Sequence, residues 1–173
     1  MRRILIVLGL WLIPFVPSRA EIGAKDVLVV GRVLGFVKSG AAGATKLAIV
    51  YDPAKPETQK EAETVQGLVG AGLKAGAKTL TPVLVKLGDV GAITDASAFF
   101  LTDGLGAEAA KVQQAVVARK IPCSTLDIAQ VQAGYCTVGV RVAGKIEIIV
   151  NKSAADSAGI VFDDAFKMLI TEI

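Results

Sequence analysis

Short, continuous runs of apolar residues alternate along the chain with segments whose apolar positions recur at helical spacing. Leu47–Tyr51 is typical of a strand buried on both faces, whereas Glu21–Lys38 has the spacing of an amphipathic helix. The same criteria predict a helix at 57–76, strands at 78–87 and 97–104, a helix at 106–120, a strand at 121–127 and a short helix or turn at 128–134. They then predict strands at 135–142 and 145–151, a short helix from 153 that breaks at Gly159, and a final helix from about 163.

The order of these elements predicts an α/β domain of three layers with a mostly parallel sheet. The last two strands are separated by Ala143-Gly144, which is a hairpin turn signal, so we expect an antiparallel C-terminal hairpin near one edge. No internal repeat or linker divides the chain. Residues 21–173 are therefore predicted to form a single domain.

The first 20 residues have the three parts of a secretory signal. Arg2 and Arg3 precede the apolar run Ile4–Val16, and Ser18 and Ala20 stand at the small-residue positions before a cleavage site. The apolar run is shorter than the roughly 20 residues that span a bilayer. We predict cleavage after Ala20 and a periplasmic location; a short N-terminal core helix in a cytosolic protein is the alternative.

Removal of this signal changes the charge of the chain. The sequence has 19 Lys and Arg against 16 Asp and Glu, and three of the positive residues (Arg2, Arg3 and Arg19) but none of the negative ones lie in the signal. The remaining 153 residues therefore carry 16 charges of each sign. Because the apparent basicity belongs to the export signal, the composition does not support nucleic-acid binding.

The chain contains no histidine. The commonest general base and metal ligand are therefore missing, and Ser-His-Asp and Cys-His catalytic sites are excluded. The sequence also lacks a CxxC motif, a GxxxxGK[ST] loop and a full GxGxxG. A relaxed match to the dinucleotide-binding motif, GLGAEA at 104–109, is better explained as a strand-to-helix turn. We expect no enzymatic activity, no metal and no cofactor.

Three aspartates each come directly after an apolar strand: Asp52, Asp103 and Asp127. Ligands of open α/β sheets bind outside the carboxyl ends of the strands, where these carboxylates are candidates to bind a cation or an amine or to do acid/base work, and where Tyr51 is a candidate to line a polar pocket. Aspartate is also a favoured helix N-cap and turn residue, and each of the three precedes a predicted helix. Capping is the more frequent use of such residues, so both roles stay open here.

The two cysteines of the chain, Cys123 and Cys136, are 13 positions apart. In an oxidising compartment two thiols of one small domain usually pair, and the short excursion between their strands can bring them within the roughly 4.4–6.8 Å Cα separation that a disulfide needs. We predict a structural disulfide. Two free buried thiols, or a redox-labile pair used for regulation, are the alternatives.

Several segments, taken in order, resemble the YfiR family of exported single-domain proteins of Gram-negative bacteria. VLVVGRVLGFVKS and KLAIVYDP are similar to that family's first helix and strand, VLVKLGDVGAITDASAFFLT to its strand, connector and second strand, and IPCSTLD to its next strand. The most specific segment is the ending GVRVAGKIEIIVNKSAADSAGIVFDDAFKML, with a strand, a turn, a second strand, an alanine-rich helix and a last helix. The resemblance covers about residues 27–169.

The resemblance implies a non-enzymatic periplasmic regulator. YfiR-like proteins bind the periplasmic domain of an inner-membrane diguanylate cyclase and hold it inactive, which controls cyclic-di-GMP and hence biofilm formation. The implied partner is an inner-membrane sensor protein, and a homodimer and a small ligand are compatible with this role. Family members can carry two disulfides, so the single cysteine pair here gives no basis for redox sensing that needs a second bridge.

A single-lobe solute-binding protein of a transport system is the alternative. IVYDPAKPETQK is similar to the first strand and helix of a lobe in ABC-type substrate-binding proteins, and the strand-end aspartates suit a pocket. Length argues against it, because such proteins usually close two lobes around the ligand and 153 residues suffice for one. An enzyme based on carboxylate or thiol chemistry is a third hypothesis, but the sequence shows no nucleophile–base pair.

Overall fold

The computed structural model describes residues 22–38 and 43–173, so the predicted signal peptide, 1–20, lies outside the described residues. The elements follow the order α1 (Ala24–Leu34), β1 (Gly43–Tyr51), α2 (Pro56–Val69), β2 (Leu73–Ala75), β3 (Lys78–Lys86), β4 (Ala98–Leu101), α3 (Ala110–Arg119), β5 (Cys123–Thr125), α4 (Ile128–Gln132), β6 (Val138–Ala143), β7 (Lys145–Val150), α5 (Lys152–Ser157), α6 (Asp164–Lys167) and β8 (Thr171–Glu172). Turns of 3-10 helix follow β3 at Leu87–Asp89 and precede α3 at Gly106–Ala109.

The strands of the described part join in one sheet, in the order β2-β3-β1-β4-β5-β6-β7-β8. β1 pairs in parallel with β3 on one side and with β4 on the other, and the parallel pairing continues through β5 to β6. The hairpins β2–β3 and β6–β7 are antiparallel, and β8 adds in parallel to the end of β7. The predicted α/β class, mostly parallel sheet and C-terminal antiparallel hairpin are confirmed.

The central strands β1 and β4 form the middle of the hydrophobic core. Leu47, Ile49, Phe99 and Leu101 are all 0% exposed. From β1 the chain crosses through α2 towards β3, and from β4 it crosses through α3 in the opposite direction. Because such crossovers are right-handed, α2 and α3 lie on opposite faces of the sheet, which explains why the central strands are continuously apolar.

The predicted helix at 57–76 is wrong in its last third. Helix α2 begins with Pro56 at its first position and ends at Val69, after which Gly70 and Gly76 take positive φ angles of 58° and 63°. Glycine reaches this region at little cost, so it ends the helix and makes the turn of the hairpin that β2 forms with β3. A three-residue edge strand is too short for an apolar pattern to reveal it.

The predicted final helix from Asp163 is only one turn long. Its buried anchor is Phe166, whose ring stacks on Phe36 at a centroid distance of 4.8 Å and lies 5.1 Å from the ring of Phe162. The following Met168 and Leu169 are 83% and 63% exposed. A second helical turn would therefore have no apolar face to bury, and the chain extends into β8 instead.

Candidate functional site

The carboxyl ends of β1, β4 and β5 lie level with one another at one edge of the sheet. Val50 pairs with Leu101, and Leu101 pairs with Thr125. Asp52, Asp103 and Asp127 each stand two residues after one of these paired positions. The strand register thus brings all three aspartates to the same edge, which we call the carboxyl edge.

Asp127 is the N-cap of α4. Its Oδ1 accepts a hydrogen bond from the backbone N–H of Ala129 at 3.0 Å, and its Oδ2 lies 3.4 Å from Nε2 of Gln130. The capping role considered for the strand-end aspartates is therefore present at this residue. The cap also fixes where the carboxylate stands relative to the end of β5.

Asp52 and Tyr51 have local roles in the turn that leads into α2. The Oδ1 of Asp52 accepts from the backbone N–H of Ala54 at 2.9 Å, and its own backbone N–H donates to Oγ1 of Thr58 at 3.0 Å. Lys55, not Asp52, is the residue that precedes the first turn of α2. Tyr51 is 9% exposed and packs in the core.

Between β1 and β4, the strand order reverses, and this is where an open α/β sheet usually forms its ligand crevice. In this protein, hydrogen bonds between its own residues occupy the position of that crevice. The hydroxyl of Thr102 donates to the Val50 carbonyl at 2.9 Å, Nζ of Lys55 donates to the Gly104 carbonyl at 2.8 Å, and the Asp103 backbone N–H donates to the Glu61 carboxylate at 3.1 Å. The space for a ligand is consequently displaced towards β5 and β6.

A cleft of about 380 Å³ opens at that displaced position, between the start of α1 and the ends of β4, β5 and β6. Among the described residues, three carboxylates line it, from Asp26, Asp103 and Asp127, together with one basic residue, Arg141. Nε of Arg141 lies 3.0 Å from Oε2 of Glu147. The rest of the lining is mainly apolar and comprises Ile22, Leu126, Ile128, Val140, Val142 and Ala143. Of the four predicted ligand-binding residues, the cleft includes Asp103 and Asp127 and leaves Asp52 and Tyr51 outside.

Sequence reasoning did not identify Asp26 or Arg141 as residues of this cleft. Asp26 lies in the first turn of α1, where its Oδ2 accepts from the Gly23 backbone N–H at 2.8 Å. Arg141 lies on β6, and α1 packs against that strand although more than 100 residues separate them. An acidic residue at a helix start signals only capping, so no local pattern could have joined these two side chains.

Gln130 is a buried polar residue behind the cleft, and it too was not singled out from the sequence. It is 3% exposed, and its Nε2 donates to the Thr102 carbonyl at 2.8 Å. The same Nε2 lies near Asp127, so one amide group connects the ends of β4 and β5. Within the described residues its Oε1 is buried without a hydrogen-bond partner. Gln130 is therefore a positioning residue for Asp127.

A second cavity, of about 230 Å³, lies at the opposite, amino edge of the sheet. Two lysines line it, Lys78 and Lys120, with Thr45, Ser97 and several apolar residues. Its charge is the reverse of that of the cleft. This difference gives the two cavities opposite preferences for the charge of a ligand.

The predicted disulfide between Cys123 and Cys136 is present, with a Cα–Cα distance of 5.1 Å. The two residues are 0% and 1% exposed. Hydrogen bonds of Thr137 join the same two segments. Its Oγ1 accepts from the Cys123 backbone N–H at 3.0 Å and donates to the Cys123 carbonyl at 2.6 Å. A bridge this enclosed is out of reach of a redox partner while the domain is folded, which favours a structural role.

No cluster of three or more metal-ligating side chains occurs in the part of the chain that the structure describes. In residues 22–38 and 43–173, no helix is both long and apolar enough to cross a bilayer.

Comparisons with known proteins relate the chain to others through its fold. No protein-family model matches the sequence, and no curated protein matches it. A conserved domain protein from Vibrio cholerae shares the fold at 16% identity and a TM-score of 0.56, over 86% of this chain and 59% of that one. The ABC domain in complex with L-Trp from Streptococcus pneumoniae does so at 10% identity and 0.58, over 86% and 60%. A substrate-binding protein with adhesive properties from Clostridium difficile, in its ligand-free, open structure, does so at 8% and 0.54, over 86% and 58%.

At these identities the likeness is one of fold. The chain spans about three fifths of the length of each of these structures. None of the three is described as a YfiR-like regulator, so membership of that family and inhibition of a diguanylate cyclase stay predictions.

Proposed function

We propose that the chain is an exported solute-binding domain whose carboxyl-edge cleft takes a small molecule with an amine group. The observation that carries the proposal is the lining of the cleft, where the described residues contribute three carboxylates and one basic residue, Arg141, around about 380 Å³, and Arg141 is paired with Glu147. Opposite charges at contact distance attract strongly when they are partly shielded from water. An ammonium group is therefore the ligand group that this lining favours.

The capping bonds of these carboxylates are compatible with ligand binding. Asp26 accepts from the Gly23 amide and Asp127 from the Ala129 amide. An ionised carboxylate has about four acceptor positions on its two oxygens, so it can accept from a capping amide and from an ammonium donor at the same time. The caps also hold the carboxylates in fixed positions, so less side-chain conformational entropy is lost when a ligand binds.

The apolar wall of the cleft suits a short hydrocarbon substituent on the amine. Leu126 and Ile128 follow β5, and Val140 and Val142 lie on β6, so both strands contribute apolar side chains to one wall. Ligand sites commonly combine such a wall with a few fixed polar groups, and a volume of 300 Å³ or more is usual for them. The cleft is thus large enough for an amine of amino-acid size.

The shared fold supports a binding role. Of the similar structures, one holds L-Trp and another is a substrate-binding protein, and both are similar in fold over 86% of this chain. The similarity concerns architecture, so the nature of the ligand rests on the cleft itself. The fold similarity favours solute binding over regulation of a membrane cyclase, because two of the similar structures are described by a bound amino acid or a substrate-binding role.

Export is supported by the signal-like first 20 residues and by the disulfide, since disulfides persist in oxidising compartments. The exported protein is therefore proposed to meet its ligand outside the cytoplasm.

A matched set of three compounds tests the proposal: L-leucine, 3-methylbutylamine and 4-methylpentanoate, which carry similar hydrocarbon groups with an amine and acid, an amine alone and an acid alone. We expect the two amines to raise the melting temperature of the oxidised domain and the acid to leave it unchanged. At 100 times Kd a ligand stabilises by about 2.7 kcal/mol, which corresponds to several degrees. Stabilisation by the acid alone, or by none of the three, would contradict an amine site.

Three variants locate the binding. Asp103→Asn and Asp127→Asn remove one charge each from the cleft, and asparagine preserves the helix cap at 127 because it is an equally good N-cap. Asp52→Asn is the matched control, since it stands at the same edge but outside the cleft. We expect calorimetric titration with 3-methylbutylamine to show about tenfold weaker binding for each cleft variant and unchanged binding for Asp52→Asn. Equal losses in all three would place the ligand elsewhere.

A further inference from the structure

Exposed apolar side chains are concentrated at the end of the sheet formed by β7 and β8. Of the large apolar side chains exposed in the described part of the chain, Val117 on α3 is the only one elsewhere; the others are Ile146, Val161, Met168, Leu169 and Ile173. Ile146 lies on β7, and the remaining four flank α6 and β8. A concentration of this kind marks an interaction surface, whereas isolated exposed apolar residues are ordinary.

The outer edge of β7 is only partly covered. The register pairs β8 with Ile149 and Val150, and in the described residues no strand pairs with the outer side of 145–147. The carbonyl of Val150 accepts from the Ile173 N–H at 2.9 Å, so Val150 directs its backbone groups outward. Because this direction alternates along a strand, Ile148 and Ile146 direct their N–H and C=O groups outward as well. Thr171 faces Ile149 in the parallel register, so its N–H reaches the Ile148 carbonyl. The Ile148 N–H and both backbone groups of Ile146 form the open hydrogen-bonding edge.

We propose that two copies of the chain pair through this edge, β7 against β7 in antiparallel orientation, with the twofold axis at Ile146. A residue on such an axis that directs its N–H and C=O outward exchanges two hydrogen bonds with its own copy. An axis at Glu147 would place Lys145 opposite Ile149 of the second copy, where β8 already lies. Two observations therefore favour the axis at Ile146: the outward direction of its backbone groups, and the position of β8 beside Ile149.

The charges on β7 agree with this register independently. Lys145 and Glu147 share one face of the strand, with Nζ and Oε1 2.7 Å apart. With the axis at Ile146, Lys145 of each copy stands opposite Glu147 of the other, which makes two pairs of opposite charge. Parallel pairing in register would place like charges opposite each other. The sequence Lys-Ile-Glu thus stabilises one alignment and disfavours another, which is how edge strands avoid unspecific association.

The opposite face of the strand carries the apolar part of the contact. Ile146 is 47% exposed in the single chain, and Ile148 lies on the same face. Cross-strand neighbours in a hydrogen-bonded pair are about 5.5 Å apart, close enough for the two Ile146 side chains to pack against each other. Pairing therefore removes the exposed isoleucine from water while it completes the backbone hydrogen bonds.

Charge reversal at two positions tests the proposal through the oligomeric state of the oxidised, exported protein, measured by sedimentation velocity over a range of protein concentrations. We expect a concentration-dependent dimer for the unaltered chain. Lys145→Glu and Glu147→Lys each place like charges opposite each other twice in the dimer, and should raise the dimer dissociation constant about tenfold. The double variant K145E/E147K exchanges the charges and should restore the dimer.

Two lysine substitutions, one on β7 and one on α3, test whether the dimer forms through the edge of β7 or through another exposed apolar residue. Ile146→Lys is expected to give a monomer, whereas Val117→Lys, at an exposed apolar residue on α3, should leave the dimer intact. All of these positions are exposed or half-exposed, so circular dichroism and melting curves should show the native fold in each variant. A monomer at every concentration of the unaltered chain would overturn the proposal, as would a dimer that single charge reversal does not weaken.

Discussion

At the scale of single residues, Gln130 connects the ends of two central strands. Its amide donates to the Thr102 carbonyl at the end of β4 and lies near the Asp127 carboxylate at the end of β5. The residue is 3% exposed, so water cannot take over these bonds if the amide is removed. Its role is to hold the two strand ends, and the carboxylate between them, at a fixed separation.

Replacement of this amide tests the role. Gln130→Leu keeps most of the volume but leaves the Thr102 carbonyl buried without its donor, so we expect a loss of about 1–3 kcal/mol in the free energy of unfolding. Gln132→Leu is the control, because Gln132 is exposed on the same helix. Urea denaturation of both variants measures the difference. Equal stability of Gln130→Leu and the unaltered chain would show that the bond to Thr102 does not matter.

Glu147 offers a test of local electrostatics. The hydrogen bond from Lys145 and the attraction of nearby Arg141 hold the pKa of Glu147 below its ordinary value. Because the folded pKa is lowered, the stability from this interaction is present above the ordinary pKa of glutamate and is lost as the pH falls through the lowered one.

We predict that Lys145→Ala moves the pKa of Glu147 up, towards its ordinary value, because the largest cause of the shift is removed. A carbon-detected NMR titration of the Glu147 carboxylate measures both values. The effect should shrink at high salt, since the side chains concerned are exposed. A pKa unchanged by the substitution would mean that Lys145 does not hold the carboxylate in solution.

At the scale of elements, the distance between α4 and β6 depends on Gly139. A Cβ added at this position would lie 2.7 Å from Cδ1 of Ile128 and 2.8 Å from Cγ2 of Val131. Helix α4, which Asp127 caps, therefore packs directly against the backbone of β6. This close contact positions the helix whose cap, Asp127, lines the cleft.

We expect Gly139→Ala to destabilise the domain by about 1–3 kcal/mol, because α4 must shift to make room. Gly67→Ala provides a matched control: Gly67 lies within α2, and nothing is within 4 Å of an added Cβ there. This control should stabilise the domain by about 0.5–1 kcal/mol, since alanine is the better helix former. Thermal denaturation compares the two variants, and opposite signs are the expected result.

The elements that could be predicted from the sequence are those with a strong local pattern. β1 and β4 are continuous apolar runs, and Asp103 and Asp127 could be placed at one edge because each follows such a run. β2 was missed because three residues carry no pattern, and its chain reversal depends on the φ angle of Gly76. Asp26 and Arg141 were missed for another reason: the contact between α1 and β6 is a property of the tertiary fold.

At the scale of the whole molecule, the disulfide joins β5 to the segment that enters the C-terminal hairpin. It closes a short loop between Cys123 and Cys136, and that loop contains α4 with the Asp127 cap. The bridge thus limits the motion of the element that carries one of the three cleft carboxylates. Stability and the geometry of the candidate site depend on the same covalent link.

Replacement of both cysteines by alanine should lower the free energy of unfolding by about 3 kcal/mol, the value expected when a loop of this size is no longer closed in the unfolded chain. Urea denaturation of the oxidised domain and of the double variant gives the difference. Reductant alone, without denaturant, should leave the bridge intact because both residues are buried. Rapid reduction of the native protein would argue for a redox-labile pair.

The central claim is that an amine binds in the cleft at the carboxyl edge, and NMR chemical-shift mapping with 3-methylbutylamine tests it most directly. The account predicts that the shifted backbone amides cluster around Asp26, Asp103 and Asp127 and that the shifts saturate with amine concentration. Clustering around Lys78 and Lys120 at the amino edge, or no saturable shift at all, would contradict it.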